Sequence, residues 1–425
     1  MKINSVLLIT IVVPLVLGFT DSSVSNLDSH ILFLIGILLT LILLFLALGK
    51  NSKKITSFSA KCFNTYKPFR NSFFALGIAS IWTAWMYGVI LGVMNGAEPF
   101  TAVFNFSGIY AYILYFVLLL LKPNPDLLIK IISWVCYVFL AYSVFILFYS
   151  ITTGYYDERI LSSFNDVRVL YAISALCVLA VIGRKSWEVF VSKENKTSGV
   201  IKLMIYLMPA IITFLLFFST FSKGYFLACA VIIAWFIILG ATRIYKSLTI
   251  DKSILLYMIL TMVIAFITTE QDIYALIKNT ISEDNPANTA RAIQSKYLYN
   301  EFTLFGSGLG VKLQSGFLRE DSGVQFELMY HNIIHKLGIL SLLILLPIAS
   351  WVYICLKDST QLGIRGLYGS FSFGLLAVVF VSYGNPILFS LQSVILQCIA
   401  LYILSSKQNR LRLGSVAQNN FAIHN

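Results

Sequence analysis

The sequence predicts an all-α polytopic membrane protein of about twelve transmembrane helices, and three observations lead there. Hydrophobic residues make up 58% of the 425, charged residues only 12%, and the mean hydropathy is +0.83. A soluble domain carries about 25% charged residues, so this charge density is too low for one. The apolar residues come in repeated runs of about 20, the length that crosses about 30 Å of hydrocarbon. The basic residues, finally, are segregated between alternate connections. In lipid a backbone must satisfy its own hydrogen bonds, which makes such runs helices. They are continuous rather than alternating, which argues against a β-barrel.

Taken in order, the spans fall near 4–20, 31–48, 73–94, 100–121, 128–150, 169–183, 201–219, 225–241, 253–269, 333–356, 366–384 and 386–404. The first follows Lys2 and has the form of a secretory signal. No small-residue cleavage site stands around Gly18, so it reads as an uncleaved anchor. Residues 1–269 thus hold helices 1–9, 270–332 form a large outer loop with short helices, and 333–404 hold helices 10–12. The polar tail, 405–425, is expected to be poorly ordered.

Orientation follows from the basic residues. Of the 31 Lys and Arg, 22 lie in connections read as cytoplasmic, eight on the opposite side, and Lys336 inside the tenth span. Of the 19 acids, five are cytoplasmic and 14 are outside. Both termini are therefore expected in the cytoplasm. The net charge of +12 is a topology signal rather than a nucleic-acid footprint, because it is scattered over many connections. A nucleic-acid binder would gather such charge on one face. The six cysteines (Cys62, Cys136, Cys177, Cys229, Cys355, Cys398) fall in spans or on the cytoplasmic side and form no CxxC. A disulfide framework and a structural zinc site are not expected.

Two outer connections are long, 151–168 and 270–332, and long connections in compact proteins tend to be functional. Within the second, Asp284-Asn285-Pro286 reads as a helix start, with Asn285 at the N-cap and Pro286 in the first turn. A helix from there to about Phe302 puts Arg291, Gln294, Ser295 and Leu298 on one face. Gly306-Ser307-Gly308-Leu309-Gly310 permits a tight turn whose amides are free to face an anion, although a plain turn is the simpler reading. Next comes Phe326-Glu327-Leu328-Met329-Tyr330-His331-Asn332, where Glu327 and His331 share a helical face at the expected outer interface. Either suits a general base, and either suits a helix cap or anchor. His335 and Lys336 read as structural, satisfied within the bundle. The spans carry almost no ionisable residues away from their ends, and ion-driven transporters usually place such residues mid-membrane.

These residues, in this order, resemble a family. An outer loop holds Arg159 and Phe164-Asn165-Asp166-Val167-Arg168, and Phe221-Ser222-Lys223-Gly224 joins two spans. Arg291 to Phe302, Gly306 to Gly310, Phe326 to Tyr330 and Lys336 to Leu340 follow. Together they resemble the bacterial O-antigen polymerase and O-antigen ligase superfamily, over roughly residues 150–345. The resemblance implies a GT-C-like, metal-independent glycosyltransferase without a cofactor, working at the outer face of the inner membrane. Its implied donors are undecaprenyl-diphosphate-linked glycans. A polymerase moves the growing chain onto a lipid-linked repeat unit, and a ligase moves it onto lipid A–core. Membrane lipids, a flippase and a chain-length regulator are the implied partners.

The leaving diphosphate calls for arginine, whose planar fork binds phosphate bidentately and stays charged. Arg291 is the first candidate, then Arg168 and Arg159, with Lys223 and Gln294 as further substrate contacts. Arg168 equally fits an interfacial anchor, Arg159 plain loop charge, and Lys223 the flank of a tight connection. Many family members have Ser-Arg-Gly where this chain has Ser222-Lys223-Gly224. Many have His-Asn eleven residues before the Gly of the next helix; here that place is Glu327, while His331-Asn332 stands seven before Gly338. This pattern favours polymerase over ligase and leaves the base open between Glu327 and His331. A polysaccharide or lipid transporter is the alternative of another class.

Overall fold

The structure is a computed structural model that describes residues 69–133, 231, 235, 286–317, 326, 328–361, 363–383 and 387–422. The spans expected at 4–20, 31–48, 169–183, 201–219 and 253–269 lie outside the described residues, as do most of 128–150 and 225–241. Among the described residues every regular element is a helix. Two stretches are long and apolar enough to cross a bilayer, Asn71–Met94 with 24 residues and Met329–Ser359 with 31. They are the third and tenth spans read from hydropathy.

The first helix, α1 (Phe69–Met94), is continuous for 26 residues. The fourth expected span, 100–121, is instead broken in two places. It consists of α2 (Pro99–Phe104), a 3₁₀ turn (Ser107–Tyr112) and α3 (Ile113–Leu121). Asn105 is extended and Phe106 left-handed, with φ 61°. Such a break frees backbone carbonyls that an apolar interior cannot solvate. Two indoles of α1 supply donors: Trp85 Nε1 to the Asn105 carbonyl at 3.2 Å and Trp82 Nε1 to the Ile109 carbonyl at 3.0 Å.

The helix α4 (Pro286–Asn300) comes next among the described elements. The tenth span is also broken, into α5 (Met329–Leu337), a 3₁₀ turn (Gly338–Ser341) and α6 (Leu342–Ser359). Gly338, at φ 55° and ψ −133°, ends α5 in a conformation that suits only glycine. Within α6, Pro347 has no amide to give the Leu343 carbonyl one turn earlier. Ser80 Oγ of α1 donates to that carbonyl at 2.8 Å. The helices come close enough because Gly77 lies against Pro347 and Trp351; a Cβ there would stand 3.1 Å from each.

The segment expected as the eleventh span holds α7 (Gly363–Leu375) followed by the single turn α8 (Val378–Val381). The twelfth belongs to α9 (Leu391–Ala422), 32 residues long. The tail expected to be poorly ordered therefore continues this helix as far as Ala422. No proline follows Ser405, and Gln, Arg, Leu and Ala extend a helix readily.

α1, α3, α6, α7 and α9 enclose the core, which is centred on buried Phe74, Tyr112, Tyr115, Trp351 and Phe371. The rings of Tyr112 and Trp351 meet edge to face at 5.9 Å. A buried phenol needs a partner, and Tyr112 finds it in Gln397 Oε1 at 2.6 Å. Gln397 in turn donates to the Leu388 carbonyl at 2.9 Å. At the other end of α6 the buried Asp358 pairs with Arg365 at 2.9 Å, and Trp235 Nε1 donates to Ser359 Oγ at 2.8 Å.

Ser80 Oγ also lies 2.8 Å from the Gly77 carbonyl of its own helix, but only Leu343 lacks a helical amide; replacing Ser80 by Ala strands that part-buried acceptor, at a cost of about 1 kcal/mol. Thermal unfolding of the purified chain should register that loss. Ser350→Ala, which removes only an exposed bond within α6, should stay within about 0.5 kcal/mol of the parent. Equal effects for the two would show that the Ser80 bond carries no special weight.

Candidate functional site

Helix α4 is described from Pro286, the expected first-turn residue, and ends at Asn300, two residues before the expected stop; the expected N-cap, Asn285, lies outside the described residues. Its inward face is the expected one. Gln294 and Leu298 are buried, at 1% and 2% exposure, while Arg291 and Ser295 are half-buried. Leu298 packs with Leu313 and Phe326, and the rings of Tyr297 and Phe317 stack at 5.2 Å.

The chain then turns back on itself around Glu301. The Glu301 carboxylate accepts from the Gln314 amide at 2.7 Å and the Ser315 amide at 2.8 Å. These bonds close the segment 301–315 at its base.

The glycine cluster fills the middle of that segment. Gly306, Gly308 and Gly310 all have positive φ, which glycine alone adopts without strain. The amides do not face an anion. Ser307 donates to the His335 carbonyl at 3.0 Å, Gly308 to the Lys336 carbonyl at 2.9 Å and Leu309 to the Gly88 carbonyl at 2.8 Å. Two of these acceptors are the last carbonyls of α5, which Gly338 leaves without helical partners. The cluster is thus a turn, the simpler of the two expected readings, and it serves as a C-terminal cap for α5. Tyr87 OH of α1 donates to the Phe305 carbonyl at 3.0 Å, and Asn95 Nδ2, just after α1, donates to the Ser307 carbonyl at 2.9 Å. The contact is so close that a Cβ on Gly92 would stand 2.0 Å from the Leu309 carbonyl oxygen.

His335 and Lys336 have the structural roles expected of them. His335 Nδ1 lies 3.2 Å from Ser307 Oγ. Lys336 is fully buried, donates its Nζ to the Val311 carbonyl and sits over the Phe326 ring at 5.7 Å. Both side chains tie α5 to the same loop.

Two of the catalytic candidates, Arg291 and His331, lie on α4 and α5, which pack against each other. Gln294 Oε1 accepts from the Leu328 amide at 3.4 Å, which fixes the two helices against each other. Arg291 stands one turn before Gln294 on α4. His331 stands in the first turn of α5, half-buried, with its ring edge-on to Tyr383 at 6.5 Å. Its Nδ1 is buried and has no hydrogen-bond partner among the described residues. Gln294 Nε2 and Asn332 Oδ1 share that condition, and Asn332 is only 2% exposed.

Of the residues singled out in the sequence, the fold therefore gathers Arg291, Gln294 and His331 on one helix pair. Glu327, Arg159, Arg168 and Lys223 lie outside the described residues. Sequence reasoning passed over Asn332 and Tyr383. Asn332 was noticed only as the neighbour of His331, and Tyr383 comes from a segment 52 residues further on with no motif around it. Among the described residues no three His, Cys, Asp or Glu side chains gather closely enough to hold a metal ion. No protein-family model matches the chain, and no curated protein matches it.

Partial burial works to raise the Glu301 pKa, but the amides of Ser315 and Gln314 outweigh it and hold the carboxyl below its usual range. A carboxyl lowered in the folded state stabilises above its unfolded pKa, about 4.3 for Glu, and loses that contribution as pH falls through the folded value. Hydrogen-exchange protection of Gln314 and Ser315 should accordingly drop on acidification below about pH 4. Glu301→Gln should abolish that pH dependence. Protection that stays level with pH in the parent would rule out the carboxylate as the clasp.

Proposed function

We propose that this chain is a bacterial polysaccharide polymerase of the O-antigen type. In this reading it has about twelve membrane spans, a GT-C-like arrangement and both termini in the cytoplasm. It joins undecaprenyl-diphosphate-linked repeat units into O-antigen or a related surface polysaccharide at the outer face of the inner membrane. The observation that carries the proposal is the buried, unpaired Nδ1 of His331, on a helix packed through Gln294 against the helix that bears Arg291. The His331 ring is half-buried, and an imidazole suits a general base. A guanidinium on the facing element is suited to a diphosphate.

The acceptor hydroxyl gives its proton to His331, and its oxygen attacks the anomeric carbon of the donor glycan. The bond from that carbon to the diphosphate oxygen breaks, and its electron pair leaves on the diphosphate. Arg291 stabilises the charge that develops there. Glu327 is the other carboxyl or imidazole suited to the base, by its place in the family pattern. The ligase reading keeps the same chemistry with lipid A–core as acceptor, and Phe326-Glu327 favours the polymerase. A flippase would deliver the repeat units and a chain-length regulator would set where growth ends.

Deleting the gene from its native strain should leave single repeat units on the core, whereas loss of a ligase would leave the core uncapped. In the complemented strain, Arg291→Ala and His331→Ala should each abolish long chains on a gel. Loss of a general base costs about 10²–10⁴-fold in rate. Long chains of normal length from Arg291→Ala protein would refute the site.

A further inference from the structure

Helix α4 ends at Asn300, and between Glu301 and Lys312 the chain runs ten residues without a charge. The two halves of this run differ. Gly306, Gly308, Leu309 and Gly310 are buried against neighbouring helices. Phe302, Leu304 and Phe305, just before them, are exposed at 45%, 58% and 64%. Large apolar side chains left open in a cluster mark a contact surface rather than a face for water.

The backbone of the same residues fixes their depth. The Leu304 carbonyl accepts from the Ile339 amide at 2.8 Å, and the Phe305 carbonyl accepts from Tyr87 OH at 3.0 Å. Ile339 stands ten residues into the apolar stretch Met329–Ser359, and Tyr87 seven residues before the end of Asn71–Met94. At a rise of 1.5 Å per residue, Tyr87 is about 10 Å inside the end of α1. Non-helical backbone at membrane depth is tolerated where protein supplies its partners. Here three successive carbonyls are supplied, the third being Thr303, which accepts from the Gly306 amide at 3.1 Å.

The surroundings name the occupant. Ile339, to which Leu304 is bonded, is itself exposed, and Leu342 and Leu346 continue that exposed apolar surface along the same membrane-crossing stretch. What covers the stretch therefore also covers the tip of the loop, and for a crossing helix that is lipid. The polar groups stand at the base of the loop, where Glu301 clasps the amides of Gln314 and Ser315 and Lys312 is exposed. Tyr299, 81% exposed at the end of α4, fits the aromatic belt of a bilayer interface.

We infer that residues 302–311 re-enter the bilayer beside α1, with Phe302, Leu304 and Phe305 set among the phospholipid acyl chains of that leaflet. Tyr299, Glu301 and Lys312 lie at its headgroups, and the end of α4 is thereby held at the bilayer surface. Part of the connection expected outside the membrane is thus within it. The inference uses the two crossing stretches and not the polymerase reading.

The test uses the full chain in its native membrane, with Phe305, Leu346 or Gln314 replaced singly by the photo-crosslinker p-benzoylphenylalanine. After irradiation, mass spectrometry of the purified chain should show phospholipid adducts at positions 305 and 346 and none at 314. Crosslinks from position 305 to another segment of the chain, or to a second copy, in place of lipid overturn the inference. So does an absence of lipid adducts at 305. Phe305→Cys and Gln314→Cys give an independent reading in lipid nanodiscs, which leave both faces in buffer. A bulky water-soluble maleimide, located by peptide mass, should modify position 314 and fail to modify 305. Equal modification of the two puts the tip in water and overturns the inference. Neither readout involves a glycan, so failure of the polymerase reading would leave both unchanged.

Discussion

Five groups on α1, and Asn95 just after it, hydrogen-bond the backbone of neighbouring elements at points where those elements leave the α-helix or lose an amide. Ser80 serves Leu343, Trp82 and Trp85 serve Ile109 and Asn105, Tyr87 and Asn95 serve Phe305 and Ser307, and the Gly88 carbonyl receives Leu309. In an apolar surrounding a backbone group without a partner costs several kcal/mol. Breaks in helices are therefore possible only where a neighbour supplies the missing donor or acceptor. α1, itself unbroken over 26 residues, is that neighbour. The glycines along it set the distance. At Gly88 and Gly92 any side chain would occupy the place of Leu309.

This constraint leads directly to the candidate site. The loop 304–311 can lie against α1 and cap α5 because every exchange of partners is met. Capping α5 at Gly338 fixes where the helix ends and therefore how its first turn is presented. That turn carries His331 and Asn332. Gln294 then locks α4 to the same turn through the Leu328 amide. The contrast within α5 is informative. His335 and Lys336, at the capped end, have partners in the loop. His331 Nδ1 and Asn332 Oδ1, at the open end, have none. One short helix is anchored at one end and left chemically unsatisfied at the other, which is the division expected of a site held by a rigid support.

Much of this was legible in the residues. The Pro286 first turn pointed to a helix where α4 lies, and the spacing of Arg291, Gln294, Ser295 and Leu298 gave its inward face. Hydropathy placed α1 and the run from Met329 to Ser359. It could not place the breaks at Asn105–Phe106 and Gly338, because hydropathy averages over a window and registers no backbone angle. The glycine cluster was recognised as a turn, but the partners of its amides lie on α1 and α5, far away in sequence.

The sequence by itself determined the helical class, the length and position of two helices able to cross a bilayer, and the face that α4 buries. These depend on composition and periodicity, which act over neighbouring residues. Only the tertiary structure decided that Gln294, His331 and Asn332 share one junction, and that three of their polar atoms lack partners there. It also decided that the glycine loop caps a helix instead of facing an anion. Whether a polar group is satisfied depends on what other segments bring to it, and that is fixed only when the helices pack.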